Sequence, residues 1–453
     1  MIKFCMSGLF ALISNRSVVK LFKRCRVDDV AAFFMAASKS GLSYSVTRDL
    51  LLILRIIKDV KCGRRLELTM NRPKKFSRDR ATWSAYLLLT FLTLQVSLIG
   101  PIMPFLRSEM GLTYAEGALH TSAFALGMMM AGFLCGPLER RVGRKSAMAI
   151  GALGLAIGFT MITMAPTPVL SIIGAGLMGL IGSMVVVFVP LVLMSVHGPQ
   201  TDQAISESNF MSYIGALLAP IAVWFFAGVI SWKAVGVISW AIALASIFAL
   251  RKSYLPPDSH PSSKAASPLG RSYWAYWTLL GLSVGVEFCF SVWGASFLEK
   301  ISGLTRDNAI IGSTLFAFGV LCSRLAGIFI VQRIGPWRLA FVSLLIAMVG
   351  FFVFWLSSTA SFVLIGLAIS GLGVANLFAT TLTLALAAEP NNSAKAAART
   401  PITTGLAIIL TPLVLGALAD HVGLFAGYAI VPFLILLGMA ALILGRHYRT
   451  SPQ

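Results

Sequence analysis

The most constraining feature of this chain is an internal repeat with a fixed spacing of 192 residues. Aromatic, glycine and proline positions recur at this offset, and the matched pairs include Phe124 and Phe316, Gly143 and Gly335, Gly174 and Gly366, Gly179 and Gly371, and Pro220 and Pro412. Solenoids and propellers repeat every 20–50 residues or so, which makes a unit of this length half of a protein. The sequence therefore predicts a fold built from two equivalent halves.

The composition indicates that these halves are embedded in a membrane. Hydrophobic residues make up 57% of the chain and charged residues only 12%. A soluble domain carries about 25% charged residues. This chain therefore lacks the polar surface that would keep 453 residues in solution.

Twelve apolar runs are long enough to span a bilayer, which takes about 20 residues of helix. All of them must be helical, because no other open backbone structure can satisfy its hydrogen bonds in lipid. We predict an all-α integral membrane protein with twelve transmembrane helices arranged as two pseudo-symmetric six-helix bundles. The runs are 83–105, 117–138, 146–165, 169–194, 206–230, 232–250, 273–298, 309–331, 338–356, 360–388, 397–419 and 424–445.

Four segments follow from this arrangement. The bundles take residues 70–250 and 273–453, and the Pro- and Ser-rich stretch 251–272 forms a cytoplasmic linker between them. Residues 1–69 lie outside the repeat and contain no apolar span. We expect them to be an extension upstream of a natural start at Met70, or else a disordered or interfacial tail.

The distribution of basic residues predicts the orientation. Of the 24 Lys and Arg residues from Met70 onward, 19 lie in loops on the side that carries both termini and four lie on the other side. Cytoplasmic loops carry the excess of basic residues. We therefore expect a multi-pass protein of the plasma (inner) membrane with both termini in the cytoplasm. This topology accounts for the net charge of +20, so no nucleic-acid partner is expected.

Apart from charged residues near the ends of the predicted spans, one acidic and one basic side chain remain inside them, Glu287 in helix 7 and Arg324 in helix 8. A charge in hydrocarbon costs several kcal/mol, so such residues usually have a function. Glu287 is the repeat counterpart of Gln95, and we expect the two to face one another across a central cavity. Glu287 would carry a coupling proton or bind substrate, and the structural alternative is a protonated carboxyl bonded to a backbone carbonyl. Arg324 lies nearer the cytoplasm, either as a lock near a gate or as the group that recognises an anionic substrate.

Helix 10 offers a polar stripe of Asn376, Thr380 and Thr383 at positions i, i+4 and i+7. We expect Gln95 and Asn376 to orient polar groups of a substrate, and Trp293 to pack against a ligand ring. The alternative for the threonines is that each bonds the carbonyl four residues earlier and has no further role.

Motifs of enzymes and cofactor sites are missing or out of context. Gly174-Ala-Gly176-Leu-Met-Gly179 matches GxGxxG, but it lies inside an apolar run with no preceding strand. The sequence has no GxxxxGK[ST], and its six cysteines have no metal-ligand spacing. We therefore expect no cofactor, no metal site and no enzymatic activity.

The loop between helices 2 and 3 resembles the cytoplasmic signature of the major facilitator superfamily, G-x-L-a-D-R-x-G-R-K. It reads Gly136-Pro-Leu-Glu139-Arg140-Arg141-Val-Gly143-Arg144-Lys145, and a degenerate copy, Gln332-Arg333-Ile-Gly335, follows helix 8. The resemblance covers residues 83–445 and implies a twelve-helix transporter in which this loop holds the inward gate. Arg140 stands where the family has Asp, and Glu139 precedes it by one residue, so we expect this gate to be latched differently.

Helices 7 and 10 resemble the fucose-permease-like group of that superfamily. The matching stretches are Val284-Gly-Val-Glu287-Phe, Trp293-Gly-Ala and Gly371-Leu-Gly-Val-Ala-Asn376. The resemblance implies a central site lined by helices 1, 4, 7 and 10. Sugar–proton symporters of the group carry carboxylates in helices 1 and 4, whereas helix 1 has only Gln95 here and helix 4 has no acid.

Together these features favour a monomeric secondary transporter of a small polar organic solute. We expect it to be coupled to protons as a symporter and to work by alternating access between the two bundles. Its partners would be the substrate, protons and the lipid bilayer. Two alternatives stay open, an exporter of amphipathic or drug-like compounds and a membrane sensor that transports nothing.

Overall fold

The computed structural model describes residues 76–253, 268–390 and 392–450. Within these ranges the chain is helical and contains no strand. The predicted extension 1–69 and most of the predicted linker 251–272 lie outside the described residues.

Among the described residues, twelve helices are long and apolar enough to cross a membrane. They are α1 (Arg80–Met110), α2 (Tyr114–Val142), α3 (Arg144–Met164), α4 (Pro168–His197), α5 (Thr201–Val229), α6 (Ala234–Arg251), α7 (Arg271–Lys300), α8 (Arg306–Ile334), α9 (Pro336–Leu356), α10 (Ala360–Ala388), α11 (Thr400–Val422) and α12 (Ile430–Thr450). Short helical turns precede α5, α11 and α12 at Gly198–Gln200, Ser393–Ala398 and Leu424–Gly427. The predicted fold class, including its twelve spans, is confirmed.

Tight hairpins with the same backbone geometry begin both halves. Gly111 ends α1 with a φ of +66°, and Gly303 follows α7 with a φ of +67°. Thr113 then caps α2 by accepting a hydrogen bond from the backbone N–H of Glu116, and Thr305 caps α8 in the same way. A left-handed glycine followed by a threonine N-cap is a local signal for one helix to end and the next to begin.

The repeat is also visible in how the helices pack. Gly179 in α4 lies so close to Phe124 in α2 that a Cβ would overlap the phenylalanine carbonyl, and Gly371 in α10 has the same relation to Phe316 in α8. Small residues allow helices in a membrane to approach at this distance. The spacing of 192 residues therefore preserves particular backbone contacts as well as helix order.

α4 and α10 are irregular at matching depths. α4 contains a π-helical turn at Met178–Gly182, and α10 is interrupted at Ala375 and Asn376. The repeat counterpart of Asn376 is Met184, two residues after the π-helical turn. Interruptions of this kind often occur near functional sites, because they redirect side chains and release backbone groups.

The first half, α1–α6, meets the second half, α7–α12, along α1 with α7, α2 with α11, and α5 with α8. An apolar cluster at this interface includes Ala125 of α2, Val284 of α7 and Ile408 of α11. The end of the molecule at which α6 ends and α7 begins is termed the linker end, and the other is termed the opposite end. The space that the two halves leave between them forms two cavities.

Candidate functional site

The central cavity lies between the two halves and has a volume of about 200 Å³. Residues of α1, α2, α5, α7, α8 and α10 line it. Its polar lining includes the hydroxyls of Thr93 and Ser97 in α1 and of Ser313 in α8, together with the carboxyl of Glu287 in α7. The cavity therefore combines hydroxyl groups from both halves with one acid.

The second cavity opens at the linker end and is larger, with a volume of about 710 Å³. Its lining includes the first turns of α5, the last turns of α8 and the second part of α10. Volumes of about 300–1,000 Å³ are typical of sites that bind small molecules. The volume of this linker-end cavity lies within that range, whereas the volume of the central cavity lies below it.

Tyr213 of α5 connects the two cavities by joining the one acid to the one base predicted inside the spans. Its hydroxyl donates to Oε1 of Glu287 at 3.3 Å and accepts a hydrogen bond from Nη2 of Arg324. The guanidinium carbon of Arg324 also lies 3.7 Å from the centre of the Tyr213 ring, which is a cation–π contact. Glu287 lines the central cavity and Arg324 lines the linker-end cavity, so the bridge extends from one cavity to the other.

This bridge crosses the interface between the halves, because Tyr213 belongs to the first half and both charged residues belong to the second. Tyr213 was not among the predicted site residues, since an uncharged tyrosine in an apolar helix carries no strong sequence signal. The signal available was its spacing: Tyr213, Ala216 and Pro220 lie at i, i+3 and i+7, and all three line the central cavity.

The predicted position of Gln95 opposite Glu287 is wrong. Gln95 is fully buried, lines neither cavity, and neither its Oε1 nor its Nε2 has a hydrogen-bond partner within the described part of the chain. The reason is helical phase. Thr93 and Ser97 face the central cavity, and Gln95 is two residues from each, a rotation of about 200° around α1.

Trp293, which was predicted to pack against a ligand ring, lines neither cavity. Trp293 is fully buried, and its Nε1 donates to the carbonyl of Pro412 in α11 at 3.0 Å. Its ring packs edge-on against Tyr114 of α2, with ring centres 5.3 Å apart. Trp293 therefore holds α7 against α11 and α2.

The polar stripe of α10 lines the linker-end cavity and does not reach Glu287. Thr380 and Thr383 each donate to the carbonyl four residues earlier, at 2.7 and 2.9 Å. These are the hydrogen bonds of the alternative in which the threonines only stabilise their own helix. Asn376 donates from Nδ2 to the carbonyl and the hydroxyl of Ser323 in α8, at 3.1 and 2.9 Å. Asn376 therefore fixes the interrupted part of α10 against α8 at the cavity wall.

The predicted gate loop is tied to the first half. Gly143, with a φ of +79°, ends α2, and the carboxyl of Glu139 accepts a hydrogen bond from Nε of Arg144 at 2.6 Å. Lys145 donates to the carbonyl of Arg251, the last residue of α6, and to that of Ser253. The predicted loop is largely helical, and Gly136, Arg140 and Arg141 are exposed in the last turns of α2. Glu139 thus pairs with the first residue of α3, within its own half.

At the opposite end the halves are joined by a carboxylate that caps a helix across the interface. Oδ1 and Oδ2 of Asp420, at the end of α11, accept hydrogen bonds from the backbone N–H groups of Tyr114 and Ala115 at 2.7 and 2.8 Å. A negative charge is stabilised there because the first N–H groups of α2 lack partners within the helix. The halves are therefore closed at the opposite end and separated by the larger cavity at the linker end.

Comparisons with known proteins place these features in a family context. The family model of the Major Facilitator Superfamily matches residues 85–398 of the chain. An uncharacterized MFS-type transporter of Yersinia pestis is 21% identical over 341 residues, which cover 74% of this chain and 88% of that protein.

Solved structures with the same fold include three transporters of low sequence identity. A bacterial homolog of the human lysosomal transporter Spinster, in an inward-facing and occupied conformation, aligns with a TM-score of 0.68 and 15% identity over 82% of this chain and 98% of its own. A D-xylose–proton symporter aligns with a TM-score of 0.65 and 16% identity, over 81% of this chain and 96% of its own. A point mutant of the nucleoside transporter NupG aligns with a TM-score of 0.66 and 14% identity, over 81% of this chain and 99% of its own.

Proposed function

Since the chain belongs to the major facilitator superfamily and is a multi-pass membrane transporter, not an enzyme, we propose that it is a proton-coupled secondary transporter. Its cargo is a small polar organic solute, and the two halves rock around the central cavity to expose it to alternate sides. On the residues of α7 and α10, we also assign it to the fucose-permease-like group.

The observation that supports coupling is the bridge from Glu287 through Tyr213 to Arg324. A side chain that carries a proton must be accessible from one cavity in one conformation. It must lose its hydrogen-bond partners when the protein opens to the other side. Glu287 lies at the central cavity, and its partner hydroxyl belongs to the opposite half. Rocking the halves therefore makes or breaks the hydrogen bond that Glu287 accepts, which links its protonation to the conformation.

We propose that the linker end faces the cytoplasm of the plasma (inner) membrane and that the protein acts as a monomer. The excess of basic residues at that end supports this orientation. The large cavity at the linker end and the Asp420 cap at the opposite end then correspond to an inward-facing state. Closing it would bring Arg140 and Arg141 of the gate loop toward the second half.

The test is accumulation by purified protein in liposomes with an imposed proton gradient. The solutes are labelled D-xylose, a nucleoside and organic acids, preselected by thermal stabilisation of the detergent-purified protein. Glu287→Gln is expected to abolish accumulation driven by the gradient and to spare exchange. Glu299→Gln is the matched control, because Glu299 pairs with Arg306 at the opposite end. Unchanged accumulation by Glu287→Gln would refute the coupling role.

Export of amphipathic compounds is the second candidate, and the walls of the linker-end cavity favour it. Phe210, Leu321, Leu325 and Leu339 line this cavity and give it a largely apolar surface. Efflux of a lipophilic dye from loaded liposomes, with no accumulation of polar solutes, would select this function over the first.

A further inference from the structure

The charges that line the linker-end cavity leave one base without an acid. Arg78, Glu207 and Arg324 are the ionisable side chains among its described lining residues. Arg78 donates from Nε and Nη2 to the two carboxylate oxygens of Glu207, both at 2.8 Å, so this pair is neutral as a unit. The guanidinium of Arg324 is the remaining charge, and the cavity therefore has a net charge of +1.

Arg324 is incompletely satisfied by the protein. Its Nη2 donates to the uncharged hydroxyl of Tyr213, and its Nε is buried without a hydrogen-bond partner in the described structure. A guanidinium has five N–H donors in a planar fork that matches a carboxylate or sulfonate. An anion on this guanidinium would form charge-assisted hydrogen bonds, which are stronger than its present bond to a neutral hydroxyl. Glu287 does not take this role directly, because the Tyr213 hydroxyl lies between them.

The rest of the cavity fits the body of an organic anion. Phe210, Leu321 and Leu325 provide apolar surface near the guanidinium. Asn209 of α5 lines the same cavity and offers hydrogen bonds to a polar substituent. The volume of about 710 Å³ admits a solute the size of a substituted aromatic or short-chain acid.

We propose that the small polar solute is an organic anion whose carboxylate or sulfonate group binds Arg324 in the linker-end cavity; the inference rests on the transport function proposed above. An anion on Arg324 competes with Tyr213 for the same guanidinium. Loading the cavity therefore loosens the hydroxyl that Glu287 also uses, which connects cargo binding to the proposed coupling carboxylate.

The test compares matched anionic and neutral probes on the detergent-purified full chain. The pairs are benzoate with benzamide, benzenesulfonate with benzenesulfonamide, and hexanoate with hexanamide. Dissociation constants come from the dependence of the unfolding temperature on probe concentration. We expect at least one anion to bind about 10-fold or more tightly than its neutral partner, since only the anion forms hydrogen bonds between two charged groups with Arg324. Equal affinity within every pair, or no stabilisation by any anion, would overturn the proposal.

Variants assign the preference to Arg324. Arg324→Gln is expected to reduce the ratio of anion to neutral affinity to about one, and Arg324→Lys to keep part of it, because lysine retains the charge without the planar fork. Arg306→Gln is the control, since Arg306 lies at the opposite end and lines neither cavity. If Arg324→Gln does not fold, the wild-type probe pairs still decide the question.

The same probes distinguish this inference from the proposed function. Neutral solutes that are accumulated with protons, without any preference for anions, would refute the anion site and leave proton-coupled transport intact. Anions that bind through Arg324 and are not accumulated under a proton gradient would refute the transport proposal and leave the anion site.

Discussion

The two halves of this protein share a backbone plan and differ in side-chain chemistry. Contacts made by glycine backbones recur at the spacing of 192 residues, as Gly179 and Gly371 show. The charged residues of the site do not recur, because the counterparts of Glu287 and Arg324 are Gln95 and Gly132. The repeat thus preserves how helices pack, whereas the two charged residues of the bridge, Glu287 and Arg324, both lie in the second half.

The first half contributes something different to the site. It supplies the Tyr213 hydroxyl, whose counterpart in the second half is Gly405. An uncharged donor from one half therefore meets a charge pair from the other. Symmetry between the halves therefore predicts how the helices pack. The site depends on positions at which the two halves differ.

The most severe test of this difference between the halves is to give the first half the acid of the second. Gln95→Glu places a carboxyl at a fully buried position without partners among the described residues, and we expect a loss of about 3–5 kcal/mol in stability. Gln95→Met removes an unsatisfied amide of similar size and should be neutral or stabilising, by up to about 3 kcal/mol.

Thermal unfolding of both variants in detergent measures the difference. A Gln95→Glu protein with the stability and transport of the wild type would show that α1 can present an acid to the cavity as α7 does, and the contrast between the halves would fail.

Most of the fold could be predicted from the sequence because lipid leaves the backbone few choices. Apolar runs of sufficient length must be helices, and the repeat gives their order. Glu287 and Arg324 could also be identified, since a charge in such a run is costly. Gln95 was misplaced because the repeat fixes depth along a helix but leaves its rotation open, and Tyr213 was missed because its hydroxyl carries no charge.

Paired glycines test whether the two halves pack in an equivalent way. Gly179→Ala and Gly371→Ala should each cost about 3 kcal/mol, because the added Cβ would overlap a backbone carbonyl that cannot easily move. Gly132→Ala is the control, since its Cβ would meet open space and alanine favours a helix by about 1 kcal/mol. Unfolding temperatures of the three variants give the comparison, and a large difference between the two paired glycines would contradict equivalent packing.

The contribution of the first half to the site, the Tyr213 hydroxyl, can be removed by a single substitution. Tyr213→Phe keeps the ring against Arg324 and deletes the hydroxyl that joins it to Glu287. We expect a loss of about 2 kcal/mol in stability, because hydrogen bonds to charged groups contribute about 1.5–3 kcal/mol. Gradient-driven accumulation should fall with it.

Tyr86→Phe is the control for loss of a tyrosine hydroxyl. Its hydroxyl donates to Glu207, which keeps both hydrogen bonds from Arg78. Equal losses of accumulation in the two variants would argue against a special role for the bridge through Tyr213.

The smallest effect concerns the contact that closes the opposite end, which is itself asymmetric. Asp420 caps α2 across the interface, whereas its repeat counterpart in the first half is Gly228, which offers no carboxylate to the start of α8. Asp420→Asn removes the charge at the N-terminus of α2 and should weaken closure by about 1 kcal/mol. Glu116→Gln is the control, because Glu116 caps the same helix from within the first half.

The measurement is labelling of a single cysteine introduced at Ser313, in the central cavity, by an impermeant maleimide added from the side of the opposite end. A loss of about 1 kcal/mol corresponds to a rise of about fivefold in the open population and in the labelling rate. The same rate for Asp420→Asn and the wild type would show that apolar packing of α2 against α11 closes this end without the cap. A rise for Asp420→Asn and none for Glu116→Gln would show that closure depends on the charge that only the second half supplies.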